Sequence, residues 1–107
     1  MVSIKTFKKM ALAFPDVTEQ PHFEKTSFRV KKKIFATFSE AEKKAVLKLT
    51  EIDQSVFCSF DKTIIYPVTG GWGKQGWTVV ELSKVKLGML KDALSAAYNT
   101  VSAKKKS

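Results

Sequence analysis

A chain of 107 residues, 44% of them apolar, has room for one hydrophobic core and one domain. Its net charge of +9 favours polyanionic partners, and no run of 18 apolar residues could span a bilayer. The single cysteine, Cys58, excludes an internal disulfide, and Met1-Val2-Ser3-Ile4-Lys5 lacks an apolar leader, so the expected setting is the cytoplasm.

Ser3 is placed to cap a first helix, with Ile4, Phe7, Ala11 and Phe14 at helical spacing and Pro15 as its stop. Pro15 to Pro21 reads as irregular. From Thr26 the period changes to two. Phe28 and Val30 share one face, as do Ile34, Ala36 and Phe38, and Lys31-Lys32-Lys33 forms a tight charged connection between them. A third strand runs from Lys44 to Leu49, with Ala45, Leu47 and Leu49 alternating against Lys44, Val46 and Lys48. Thr50-Glu51-Ile52-Asp53 resembles a capping box, so a short helix is expected from Glu51 to Ser59, with Ile52, Val56, Phe57 and Phe60 at helical spacing. Thr63–Val68 and Trp77–Leu82 read as strands. Ser83 is then expected to cap a last helix whose stripe is Leu87, Leu90, Leu94, Ala97 and Val101. The domain is expected to span residues 1–101, with a basic tail over 102–107. The predicted core is Phe7, Phe14, Phe28, Ile34, Phe38, Leu47, Val80, Leu90 and Leu94.

Gly70 to Trp77 holds both tryptophans and four of the five glycines. Gly71-Trp72-Gly73-Lys74-Gln75-Gly76 matches G-x-G-x-x-G, but a strand-like segment follows where a dinucleotide site needs a helix. A wide hairpin with glycines at positive φ is the better reading. Trp77 starts a strand and reads as structural. Trp72, among glycines, is open to a stacking role. His22, the sole histidine, has no ligand-spaced partner and reads as loop. Cys58 sits between apolar helix positions and reads as buried. No carboxylate pair, nucleophile–base pair or phosphate loop stands out, so no enzyme activity, metal or cofactor is expected.

Of the 19 basic residues, 18 are lysine and Arg29 is the one arginine. Lys104, Lys105 and Lys106 account for three of the nine excess charges, so the excess belongs to the folded part as well. Lysine is a point charge for phosphate, whereas bidentate reading of guanine is mostly arginine work.

Taken in order, these segments resemble the MmcQ/YjbR family. Ser27 to Phe38 is similar to its "F-x-V-x-x-K-x-F-A" hairpin, and Val46-Leu47-Lys48-Leu49 to the strand after it. Tyr66-Pro67 and Gly73 to Leu82 resemble its late proline and tryptophan-containing strand. Leu12 to Glu19 resembles its helix-ending "L-P-G-V-x-E" turn, with Asp16 where the family often has Gly. Gly76 stands before the tryptophan where many members have His. The resemblance implies an α+β fold similar to frataxin and CyaY, an antiparallel sheet with helices packed on one face, in the order α-β-β-β-α-β-β-α. It also implies DNA binding. Frataxin-type iron binding needs an acidic ridge that this basic chain lacks.

The expected function is therefore non-catalytic DNA binding with little sequence specificity. Phosphate contacts would come from Arg29, Lys31, Lys32, Lys33 and Lys74, and Trp72 would stack. The alternative is a small-molecule or protein-binding module with a cleft near Trp72. The chain is expected to act as a monomer away from membranes.

Overall fold

The computed structural model describes residues 2–22 and 25–102. The basic tail expected from residue 102 onward therefore lies, from 103, outside the described residues, as does residue 23 beside His22.

Helix α1 (Ile4–Leu12) starts at Ser3, whose Oγ accepts from Thr6 N at 3.1 Å, and buries Phe7 and Ala11. After it Asp16 takes φ +64°, the left-handed conformation that glycine adopts freely and aspartate tolerates. Residues 17–22, expected to be irregular, instead form an edge strand, β1 (Val17–His22), paired with β2 (Lys25–Val30). Its Pro21 weakens the strand signal, yet an edge strand tolerates proline where a central one does not. Glu19 of β1 meets Lys8 of α1 at 3.0 Å.

Strands β3 (Lys33–Ser39) and β4 (Lys44–Lys48) continue the meander, and α2 (Glu51–Cys58) follows, capped by Thr50 as expected. Then come β5 (Ile65–Pro67), a single helical turn α3 (Gly71–Lys74), β6 (Trp77–Glu81) and α4 (Leu87–Ser102). The sheet is antiparallel, with order β1-β2-β3-β4-β6-β5. The strand β1 and the turn α3 are the two elements beyond the expected order. The glycine stretch thus winds one helical turn between β5 and β6, with positive φ only at Gly70 and Gly76.

Helices α1 and α4 cover one face of the sheet. Phe7 packs edge-on against Phe28 and Phe38, with ring centroids at 5.7 Å in both pairs. Phe14, Phe35 and Tyr98 form a second aromatic group, and Tyr98 donates to Pro15 O at 2.8 Å. Leu47, Val80, Leu90 and Leu94 are buried as expected, and Phe14 is half-buried against the core.

Ile34 is not in the core. Phe28 pairs with Ala36 but Arg29 pairs with Ile34, so Phe35 is an extra residue in β3. This β-bulge turns Phe35 inward together with Ala36 and moves Ile34 to the other face.

The last helix starts three residues later than expected. Ser83 lies in a turn in which Lys84 N and Val85 N both donate to Glu81 O, and Val85 is buried there. Leu87 is left exposed at the start of α4. Helix α2 buries only part of its apolar set. Phe57 and Cys58 pack on the core, whereas Ile52, Val56 and Phe60 face outward.

Candidate functional site

Among the described residues no long helix lies over the second face of the sheet. Strand alternation puts Lys25, Ser27 and Arg29 of β2 on this face. Thr37 of β3, Val46 and Lys48 of β4, and Trp77, Val79 and Glu81 of β6 join them. The register aligns Ser27, Thr37, Val46, Val79 and Tyr66 in one row across the strands.

At one end of this face is a groove of about 410 Å³ lined by Lys25, Ile34, Thr37, Val46, Val68, Trp72 and Trp77. Trp72, carried on α3, is 61% exposed. Trp77 is half-buried, and the Lys48 ammonium stands 5.4 Å from its ring centroid. Lys48 also donates to Gln75 O, which ties it to the turn before Trp77.

That turn is fixed from the helix side. Gln54 of α2 donates to Gly73 O at 2.9 Å, Thr78 Oγ1 at 3.1 Å and Trp77 O at 3.3 Å. Thr78 in turn donates to Gly76 O at 3.0 Å. Gly76 takes φ +104° with Leu49 O pressed against it, so that Leu49 N can donate to Gly76 O at 2.9 Å. The glycine stretch thus sets where both indoles stand.

At the other end of the face is a cleft of about 280 Å³ that shares Lys25, Thr37, Val46 and Val68 with the groove. Tyr66 there donates to Glu81 Oε2, and Lys44 Nζ lies 3.6 Å from the same oxygen. Burial, then the hydrogen bond and charge of Glu81, hold the Tyr66 phenol above its ordinary range, with Lys44 opposing. Tyr66 and then Glu81 raise the Lys44 ammonium above its own.

Not all of the sequence-predicted residues converge on the groove. Trp72 lines it. Arg29 is half-buried, donating from Nε to Ser27 Oγ at 3.2 Å, on the same face. Lys31 and Lys32 are the two central residues of the β2–β3 turn, with φ of +52° and +72°. This turn geometry favours Asn-Gly, yet two exposed lysines occupy it. They lie with Lys33 at the same end of the sheet as Lys48 and Trp77, as the pairing of Ala36 with Leu47 and of Lys48 with Trp77 requires. None of these five basic residues lines the groove itself, and Lys74 lines a separate shallow cavity with Glu51, Gln54 and Pro67.

The candidates missed from sequence are Lys25, Lys48 and Trp77. Their signal was present in the alternation: Lys48 and Trp77 are register partners, out of phase with buried Leu47 and Thr78. Cys58 is half-buried, and burial raises its thiol. Among the described residues no three His, Cys, Asp or Glu side chains gather as a metal site. No helix among them is long and apolar enough to cross a membrane.

An antiparallel sheet with two helices on one face and a tryptophan-bearing groove on the other defines a class of small α+β domains. The YjbR family profile matches residues 12–100, and the chain belongs to that family. Its fold is similar to that of the Deinococcus radiodurans protein DR2400, which carries a DUF419 domain. There the TM-score is 0.85 at 20% identity, over 100% of this chain and 83% of that one. It is also similar to a Pseudomonas syringae protein, with TM-score 0.71 at 18% identity, over 94% of this chain and 99% of that one. No curated protein matches the chain.

Proposed function

We infer that the open face of the sheet binds DNA without catalysis, taking single strands in preference to duplex. The observation that carries this reading is the pair Trp72 and Trp77 in one groove with Lys25, and the Lys48 ammonium over the Trp77 ring. An exposed indole stacks on any base and contributes about 1–3 kcal/mol per base. Lysines along the groove and at the Lys31–Lys33 tip supply phosphate contacts whose strength falls with salt. With Arg29 as the one arginine, and already hydrogen-bonded to Ser27, little base-edge reading is expected. The single cysteine makes the cytoplasm the proposed setting.

The test is a titration of labelled single-stranded and duplex DNA at two salt concentrations. Trp72→Ala should weaken single-strand binding about 10- to 100-fold and duplex binding far less. Replacing Lys31, Lys32 and Lys33 by Ala should reduce the salt dependence on both. Absence of binding at low salt removes the proposal.

The size of the groove favours a second reading. About 410 Å³ suits one flat, anionic aromatic molecule, such as a mononucleotide, held between the indoles. Tryptophan quenching by a mononucleotide that equals quenching by a long single strand would favour this reading.

A further inference from the structure

Ile52, Val56 and Phe60 recur at intervals of four along α2 and the turn after it, and so share one face. They are 76%, 50% and 63% exposed. Leu87, at the start of α4, is 54% exposed. Beside Phe60 is an apolar cavity of about 240 Å³, walled by Ile64, Val85 and Met89 and rimmed by Lys84 and Lys86. An amphipathic helix of a monomer normally turns such a stripe inward, and exposed apolar residues gathered in one patch mark an interaction site.

The charges around the patch say what covers it. Glu51 and Asp53 stand at the N-terminal end of α2, while Lys84 and Lys86 flank Phe60 at the other end, with Asp61 and Lys62 between. With Lys74 beside Glu51, three acids face four lysines there, close to balance in a protein whose net charge is +9. An acidic partner would be drawn to the rest of the surface instead. A second copy is repelled by most of that surface but not by this patch. With acids at one end and lysines at the other, the patch is its own complement under a two-fold axis.

We propose that the protein forms a two-fold dimer through α2, in place of the monomer expected from the sequence. The two α2 helices lie antiparallel about Val56. Ile52 and Phe60 are about 12 Å apart along the helix. Ile52 of one copy therefore reaches the apolar cavity beside Phe60 of the other, and Glu51 and Asp53 meet Lys84 and Lys86. The contact is on the helix-covered side of the sheet, away from the tryptophan groove.

Sedimentation equilibrium tests this over about 1 µM to about 1 mM, where small interfaces associate. The mass should rise from one chain toward two. Val56→Lys, at a half-exposed position, should hold it at one chain throughout. Two charge-reversed variants sharpen the geometry: Glu51→Lys with Asp53→Lys, and Lys84→Glu with Lys86→Glu. Each alone should be monomeric, and an equimolar mixture should recover the dimer, because both end contacts of the mixed pair regain opposite signs. A wild-type chain that stays monomeric over the whole range overturns the proposal. So does a dimer that survives Val56→Lys, or a mixture that does not recover.

Discussion

The two faces of the sheet are built by the same strands and differ in what lies over them. On β4, Ala45 and Leu47 are buried under α4, while beside them Val46 lines both open cavities and Lys48 stands over the Trp77 ring. The covered face obeys volume: it needs apolar side chains that fill space, and phenylalanines and leucines do so. An antiparallel sheet with one wet face ordinarily turns polar residues outward. This one presents Ile34, Val46, Val79 and Trp77, with Trp72 above them. Apolar side chains kept on a face that no helix covers contribute nothing to the core. Their presence is the reason to assign the open face a ligand.

If the two faces differ in this way, equal aromatic truncations should have unequal consequences. Phe7→Ala removes the ring that joins Phe28 and Phe38 under α1, and should cost about 3–5 kcal/mol in urea unfolding. Trp72→Ala removes a larger ring from the open face and should stay within about 0.5 kcal/mol of wild type. Comparable losses from both would mean that Trp72 belongs to the fold and would remove the contrast.

The glycine stretch is where the two faces are tied together, and it can be loosened from either side. Gly76→Ala places a Cβ 2.0 Å from Leu49 O at φ +104°, so the turn before Trp77 must move. A loss of about 3 kcal/mol is expected, with a shifted tryptophan emission. Gln54→Ala leaves Gly73 O and Trp77 O without their shared donor and should cost about 1–2 kcal/mol. Its emission should shift in the same direction as that of Gly76→Ala. An unshifted spectrum in both would show that the turn does not position the indoles.

How much of this could be read from the sequence depended on what a residue's neighbours in the chain determine. The caps at Ser3 and Thr50, and the alternation of β4 and β6, are local and were legible. So was most of the core. The bulge at Phe35 was not, because an extra residue leaves no mark in the pattern and is visible only against its partner strand. It moved Ile34 from the predicted core into the groove. Strand β1 was hidden by Pro21, since edge position is a property of the sheet. Helices α1 and α2 carry similar apolar spacings, yet α1 buries Phe7 and Ala11 fully while α2 leaves Ile52 and Val56 exposed. Periodicity says which residues share a face, and distant elements decide whether anything lies over it. For the same reason Trp72 and Lys74, two residues apart, were read as one site and stand in different cavities.

The smallest effect is expected at the Tyr66 end of the open face. The folded-state phenol is raised above its ordinary value near 10, first by burial and then by Glu81. A group raised on folding holds its proton more tightly in the native state. Its contribution to stability is complete below about pH 10 and is lost as pH climbs through the folded value. Lys44, raised by Tyr66 and then Glu81, shifts with the same sign, but it is exposed and adds little. Tyr66→Phe should therefore cost about 0.5–1.5 kcal/mol at neutral pH, the worth of its bond to Glu81, and then decline less steeply than wild type above about pH 10. Urea midpoints at neutral pH and in the alkaline range check this. Profiles that run parallel would mean that Tyr66 titrates no differently in the folded and unfolded chains. The cleft at its foot would then be an ordinary wet surface, and the contrast between the faces would rest on the tryptophan groove alone.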